Sequence, residues 1–511
     1  MDDFTTRRTP ATGAPRRRPR LREVFALVLV WSGQEPRRVG ELFLLPPAPS
    51  GPVLVGRGPA RPDDPTERLP LVRQRPGDTR PTAPLGGDGV SRRQLRLQPL
   101  DADRLLLESI GRCPVLVNRR RTVQAVLRVG DVVELSGQVL FLVTRRPRVL
   151  PPLRWLEDLS GYRFGEPDPH GMVGESPAAW AVRDQIAFIG PRDGHVLIEG
   201  PSGAGKELAA HAIHAMSPRR RVPMVARNAA TFPEGLIDAE LFGNVAGYPN
   251  PGMRARAGLV GEADGSTLFL DEIGELPPNL QAHLLRVLDA RGEYQRLGEA
   301  ICRTADFRLV AATNRPRSQL KHDLLARLRF TLRVPPLAER REDIPLILRS
   351  LLVHAAEQDP EVGRRFLDTD AGGWQSPRIS PELVTLLLRR PLHLNVRELD
   401  AVLWRAIAES HHDLLLPPDE WENLPNGADP ARPETSGEGT PGSVREPVDP
   451  ACISRDQLRE ALLRHNGVQG PVWRELGLKN RYVLRRLIDK HGLRRFVTEL
   501  AGRAEPSRDQ A

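Results

Sequence analysis

Cysteine is scarce in this chain. Cys113, Cys302 and Cys452 are the only three in 511 residues, and they share no ligand spacing. A disulfide framework and a cysteine zinc site are both excluded, and a reduced compartment is expected. No apolar run reaches the ~18 residues that a membrane span needs, so no membrane partner is expected. The apolar residues 24–31 follow Arg16-Arg17-Arg18-Pro19-Arg20, but the stretch is short and lacks a clear cleavage site. It reads as a first strand rather than a signal peptide, and the expected location is cytoplasmic. No internal repeat is visible. Lysine is also scarce for a basic chain: of 74 basic residues only Lys206, Lys321, Lys479 and Lys490 are lysines. The formal charge, 74 − 65 = +9, favours nucleic acid only weakly, because it comes from general arginine usage.

Lys206 is therefore the lysine that stands out, the only one in the first 320 residues. It closes Gly200-Pro201-Ser202-Gly203-Ala204-Gly205-Lys206-Glu207, which fits the phosphate-loop pattern G-x-x-x-x-G-K. A nucleotide phosphate at that spot wants a compact ammonium on a flexible stem, for which a planar guanidinium is a poor substitute. The apolar residues 195–198 precede the loop as a buried parallel strand, and residues 208–213 follow it as a helix. The glycines let backbone N–H groups face an anion, and the helix N-terminus adds a favourable dipole. Glu207 stands where most such loops place the Ser or Thr that holds Mg2+.

The rest of the chain divides around this loop. Residues 1–20 read as a disordered basic tail. Residues 21–150 show short alternating apolar runs separated by turns, the pattern of a β-sandwich, with 60–88 reading as one long loop. Residues 166–345 alternate strand and helix, an α/β core with a parallel sheet, and 346–418 are helical, a lid. Residues 423–450 read as a flexible linker, 451–497 as a basic all-α module and 498–511 as a tail. The fold class is thus multidomain: β-sandwich, α/β P-loop NTPase with helical lid, and helix-turn-helix.

Downstream, Ser266-Thr267-Leu268-Phe269-Leu270-Asp271-Glu272 is an apolar strand ending in two acids. Asp271 would hold Mg2+ and Glu272 would polarise the attacking water. A third strand, 307–312, ends in Thr313-Asn314-Arg315, where Asn314 would sense the γ-phosphate.

Seven segments occur in one order: 200–207, Glu240-Leu241-Phe242-Gly243, 263–274, 284–288, 311–315, 334–345 and Asn395-Val396-Arg397-Glu398-Leu399. Together they resemble the AAA+ domain of bacterial enhancer-binding proteins, the sigma-54-dependent transcription activators, over about 170–410. That family also carries Glu after the loop lysine. The resemblance implies that ATP is the nucleotide and ATP hydrolysis the reaction, with Asp271 and Glu272 the Walker B pair, Asn314 sensor I and Arg397 sensor II. It implies that Asn228 restrains the catalytic glutamate. It further implies that Arg327 is an arginine finger given to the neighbouring subunit of a hexamer-like homo-oligomeric ring. Lys321 falls where the family usually has a second finger. The family's GAFTGA loop, which touches sigma-54, is replaced by Gly247-Tyr248-Pro249-Asn250-Pro251-Gly252. Two prolines stiffen a loop that should move.

Within 21–150, Gly56-Arg57, Ser91-Arg92 and Val117-Asn118 resemble an FHA domain. The resemblance implies a phosphothreonine protein or peptide as partner, with Arg57, Ser91 and Arg92 on the phosphate and Asn118 on the peptide backbone. A guanidinium and a hydroxyl suit that dianion. The alternative is a sandwich that only packs against its own ATPase domain. At the carboxy end, residues 469–476, Gly477 and 480–490 fit a helix-turn-helix and resemble the Fis-type domain of the same activators. Asn480, Arg481, Arg485, Arg486 and Lys490 would meet promoter-upstream DNA. The expected function is an ATP-dependent transcriptional regulator acting on sigma-54 RNA polymerase. The alternative is a DNA-binding regulator that binds ATP for assembly and does not remodel that polymerase.

Overall fold

The computed structural model describes residues 23–59, 66–232, 235–248, 250–289, 292–422, 455–464, 487–488 and 490–491. The expected tails 1–20 and 498–511, the linker 423–450 and most of the module at 451–497 lie outside the described residues. The chain forms two compact units, 1–431 and 432–511.

The first unit begins with a two-sheet sandwich. Its strands are β1 (Glu23–Ser32), β2 (Leu42–Leu44), β3 (Val53–Val55), β4 (Leu71–Arg75), β5 (Asp78–Pro81), β6 (Leu95–Pro99), β7 (Leu105–Ser109), β8 (Val115–Val117), β9 (Arg120–Thr122), β10 (Gln124–Leu127), β11 (Val132–Leu135) and β12 (Val139–Pro147). One sheet runs β5-β4-β2-β1-β12-β11-β8-β9, the other β10-β7-β6-β3. β1 pairs antiparallel with β12, placing Leu27 opposite Val143. Side chains alternate across a strand. Phe25, Leu27 and Leu29 therefore enter the core between the two sheets, with Val55, Leu97 and Leu107 from the smaller one.

The opposite face of the large sheet is also buried. Ala26, Val28, Val30, Leu140 and Leu142 join one hydrophobic cluster with Leu348, Leu352, Leu383 and Leu387 of the lid. Burial on both faces explains why 24–31 is a continuous apolar run rather than an alternating one. The Trp31 indole N–H donates to the Ile379 carbonyl at 2.8 Å across this junction.

The long loop expected over 60–88 is corrected by the β4–β5 hairpin, which pairs Val72 with Pro81 and Arg75 with Asp78. Its polar side chains are satisfied from afar: Gln74 donates to Pro147 O at 2.8 Å and Arg73 to Glu41 at 2.9 Å. A local reading of Arg and Gln as loop residues misses such partners.

The α/β core follows: α1 (Pro177–Ile189), β13 (Val196–Glu199), α2 (Lys206–Ala215), β14 (Val225–Asn228), α3 (Ile237–Phe242), α4 (Leu259–Glu262), β15 (Thr267–Asp271), α5 (Pro278–Asp289), β16 (Glu293–Tyr294), β17 (Arg303–Thr304), β18 (Arg308–Thr313), α6 (His322–Arg327) and β19 (Phe330–Arg333). The sheet β14-β15-β18-β13-β19 is parallel throughout. Leu268 and Leu309 face one core, Phe269 and Val310 the other, so helices cover both faces. The strands' carboxyl ends gather Glu199, Asn228, Asp271 and Thr313, where open α/β sheets place their ligands.

The lid comprises α7 (Ile344–Gln358), α8 (Pro360–Phe366), a hairpin of β20 (Leu367–Thr369) and β21 (Gln375–Pro377), α9 (Pro381–Arg389), α10 (Asn395–Glu409) and α11 (Asp419–Glu422). Ser380 caps α9 by accepting from Leu383 N at 3.2 Å.

In the second unit, α12 (Arg455–Arg464) buries Leu458 and Leu462, four apart on one helical face. Among the described residues no helix is long and apolar enough to cross a membrane.

Candidate functional site

The phosphate loop connects β13 to α2. Gly203 and Gly205 adopt φ of +70° and +100°, conformations that favour glycine. At Gly203 a Cβ would come within 2.1 Å of Leu394 O, so the glycine also admits the lid. Lys206 is 6% exposed, and its Nζ donates to Gly200 O at 3.1 Å and Pro201 O at 3.4 Å. Glu272 Oε1 lies 3.6 Å away. Glu207 is exposed, with His211 at 4.0 Å.

Asp271 ends β15 directly beside Asn228, its register partner on β14. Glu272 sits at φ +51° and donates its N–H to Asp271 Oδ1 at 3.0 Å. Its Oε2 accepts from Asn314 N at 3.3 Å. This fixes the carboxylate between the Lys206 ammonium and the end of β18. The Asn228 amide oxygen accepts from Ala230 N at 2.9 Å, opening a short 3-10 turn.

Lys206, Asn228, Asp271 and Glu272 line a cavity of about 530 Å³. It is lined also by the rest of the loop 202–208, by Met172 and Val173, and by Leu351, Val396 and Arg397 from the lid. A lining that mixes apolar side chains with polar and cationic groups suits a base attached to phosphates. Mg2+ takes one or two protein carboxylates and completes its shell with phosphate oxygens and water, so Asp271 fits a metal brought in with a nucleotide. Asn314, Lys321 and Arg327 are not among the lining residues. Lys321 precedes α6 and Arg327 ends it, exposed.

The lid closes on the loop through three consecutive residues. Asn395, at φ +52°, donates to Ser202 O at 2.9 Å and accepts from Leu337 N at 2.8 Å. Val396 N donates to Gly203 O at 3.1 Å, and Arg397 Nη1 to Ser202 Oγ at 2.8 Å. From the other side the buried Arg340 donates to Ala204 O at 2.9 Å, and burial pushes its pKa below the usual arginine range. The sequence reading did not assign Asn395, Arg340, Met172 or Val173. Asn395 was the findable one, since it heads the Asn-Val-Arg-Glu-Leu motif.

The loop after α3 is clasped by one amide. Asn244 is fully buried, and its Nδ2 lies within hydrogen-bond reach of Val245 O, Tyr248 O and Arg254 O at 2.9, 3.0 and 3.0 Å, three acceptors sharing its two hydrogens. Asn244 and Arg256 also exchange both backbone hydrogen bonds, and Gly247 N reaches Met253 O at 2.8 Å.

In the sandwich, Arg57 and Ser91 lie on adjoining turns: Arg57 N donates to Ser91 O at 3.0 Å. A Cβ at Gly56 would meet Arg92 O at 2.2 Å, so that approach needs the glycine. The Arg57 guanidinium pairs with Asp88 at 2.6 Å, and Ser91 Oγ accepts from Arg112 N at 2.8 Å. Arg92 is exposed. The Asn118 amide lies on another turn and faces inward, donating to Asp131 at 2.7 Å and accepting from Val132 N at 2.9 Å. Of the expected DNA-contacting residues, Lys490 is described and exposed, whereas Asn480, Arg481, Arg485 and Arg486 lie outside the described residues.

Residues 172–335 match the family model for the sigma-54 interaction domain. The transcriptional regulatory protein ZraR of Klebsiella oxytoca is 34% identical over 332 residues, covering 62% of this chain and 68% of that protein. The DNA-binding transcriptional regulator NtrC of Salmonella typhimurium is 36% identical over 280 residues, covering 50% and 57% respectively. Among solved structures, NtrX from Brucella abortus in complex with ATP is 26% identical with a TM-score of 0.43, covering 63% of this chain and 69% of that one.

Proposed function

The chain belongs to the family of sigma-54-interacting transcriptional regulators, and from that membership we propose an ATP-driven regulator of transcription. The observation that carries the proposal is the convergence of Lys206, Asp271, Glu272 and Arg397 on one cavity of nucleotide size. In this reading Lys206 and the loop N–H groups hold the β- and γ-phosphates, and the lid's Arg397 senses whether the γ-phosphate is present. Asp271 would hold Mg2+, which would supply positive charge against the developing phosphate charge. Glu272 orients the attacking water, and Asn314, whose backbone holds that carboxylate, reports the cleaved bond. Asn228 shares the cavity with Glu272, in place to restrain it. Arg327 and Lys321 lie outside their own cavity, which suits donation to a neighbouring protomer's site in a homo-oligomeric ring.

The same proposal gives the sandwich a phosphothreonine partner, gripped at Arg57, Ser91 and Arg92, and gives the carboxy-terminal unit promoter-upstream DNA. The amide of Asn118, expected on the peptide backbone, is already bonded within the sandwich to Asp131 and Val132 N.

The test is ATP turnover by the whole chain with and without promoter DNA, beside Lys206→Ala. Turnover that vanishes in the variant supports the proposal. Wild-type turnover no greater than the variant's reduces the site to a binding one.

A second reading is favoured by the clasped loop at 244–256. A loop tied by Asn244 to three of its own carbonyls is poorly suited to large excursions. The chain would then use ATP for assembly on DNA without remodelling sigma-54 RNA polymerase. Alanines at 247–252 decide between them: transcription of the target genes collapses under the first reading and persists under the second.

A further inference from the structure

Two arginines of the sandwich pair with carboxylates on the segments that carry the wall of the nucleotide cavity. Arg75, the last residue of β4, grips Glu175 with two bonds, Nη2 to Oε1 at 2.7 Å and Nε to Oε2 at 3.2 Å. Its third arm donates to Tyr162 O at 2.6 Å, and the guanidinium lies 5.2 Å from the Trp180 ring centroid. Glu175 also accepts from Gly165 N at 2.9 Å and from the Trp180 indole at 3.1 Å. Arg146, on β12, pairs with Glu342 at 3.0 Å, both side chains almost wholly buried.

Glu175 and Glu342 are the sequence neighbours of Ser176 and Asp343, and those two residues form a clasp. Asp343 Oδ1 accepts from Glu175 N at 2.8 Å and Ser176 N at 2.9 Å, and Oδ2 accepts from the Ser176 hydroxyl at 2.5 Å. The clasp adjoins the cavity on both strands. Two and three residues before Glu175 lie Val173 and Met172, which form its apolar wall, and two residues before Glu342 lies Arg340, which holds the phosphate loop at Ala204. There is no slack between: a Cβ at Gly174 would come within 2.6 Å of Asp343 Oδ2.

We propose that Arg75 and Arg146 are positioning residues for the nucleotide site: the sandwich holds the Ser176–Asp343 clasp, and with it the Met172–Val173 wall and Arg340, in nucleotide-binding shape. Neither arginine lines the cavity; each acts through its carboxylate partner. The phosphothreonine-reading domain and the ATPase are then one mechanical body, and a ligand that strains β4 or β12 changes nucleotide affinity. This rests on the nucleotide reading of the cavity.

The sandwich supplies its own control. Arg96, on β6, pairs with Glu108 of β7 in the smaller sheet at 3.0 Å, so its loss perturbs that domain without touching the clasp. The experiment is calorimetric titration of the full chain with ATP and with ADP, alongside thermal unfolding without nucleotide. Arg75→Gln, Arg146→Gln and Glu175→Gln are each expected to weaken nucleotide binding about tenfold, the worth of a charge-assisted hydrogen bond. The Arg75→Gln/Glu175→Gln double variant should be no weaker than either single one, and Arg96→Gln should bind as wild type. If Arg75→Gln does not fold, Glu175→Gln, which keeps the side chain's size and the Gly165 contact, carries the test. Folded variants that bind like wild type overturn the inference alone. Wild type that binds neither nucleotide overturns the site reading and the inference together.

Discussion

Arg397, in the first turn of the lid helix α10, donates to the hydroxyl of Ser202 in the phosphate loop at 2.8 Å. Lid and loop therefore meet through a charged side chain where phosphates are expected to sit. Arg397→Ala should weaken ATP affinity more than ADP affinity, with the ATP effect about tenfold, as for one lost charge-assisted contact. Parallel titrations check this; equal losses for the two nucleotides would show that Arg397 serves the loop and not the γ-phosphate.

Asn244 holds three carbonyls of its own loop while fully buried. Asn244→Ala removes the donor from three part-buried carbonyls, at a cost of roughly 1–2 kcal/mol. The loop 245–255 should become the first site of proteolytic cleavage. Digestion with mass-spectrometric mapping reads this directly, and an unchanged cleavage pattern would contradict it.

Arg308 is 1% exposed and donates to Gly194 O, Gly190 O and Ile189 O at 3.0, 2.9 and 2.9 Å, closing the carboxyl end of α1. Burial pushes its pKa down to about 10, which leaves it charged at neutral pH. Arg308→Met should destabilise by about 3 kcal/mol, since three buried acceptors lose a cation. Urea unfolding measures this; a loss below ~1 kcal/mol would mean that water replaces the guanidinium.

The large sheet of the sandwich and the lid share one core, in which Leu352 of α7 is fully buried. Leu352→Ala should cost about 3 kcal/mol. Because the core is shared, sandwich and lid should unfold together, so fluorescence of Trp31 and circular dichroism should give one midpoint. Two resolved transitions would show that the shared core does not couple them.

His195 accepts from Leu309 N at Nδ1, 3.0 Å away, and burial lowers its pKa below the usual 6.5. In the unfolded chain the imidazole takes up a proton as pH falls through the ordinary value, while the folded chain refuses it. Stability is therefore full above about pH 6.5 and declines as pH falls toward the folded value. The stability lost between pH 7.5 and 5.5 should be smaller in His195→Gln than in wild type. Equal losses by denaturant midpoint would place the acid sensitivity elsewhere.

Much of the candidate site is legible because its chemistry is local in sequence. Residues 200–207 place glycines, lysine and helix start within one turn, and Asp271-Glu272 end an apolar strand. The β4–β5 hairpin is not legible in this way. Arg73 answers to Glu41 and Arg75 to Glu175, respectively 32 and 100 residues away, so arginines that look like loop residues are strand residues with distant partners. Arg340 is hidden for the same reason: its acceptor, Ala204 O, is 136 residues upstream.

By itself the sequence determined the phosphate loop, its acidic partners and the order of the strands and helices around them, because strand period, helix period and glycine-dependent turns are set by neighbouring residues. Only the tertiary structure decided that the sandwich shares a core with the lid of the α/β domain. A continuous apolar run such as 24–31 shows that both faces of a strand are covered but not which distant element covers them, and an arginine does not reveal in sequence which distant carboxylate will neutralise it.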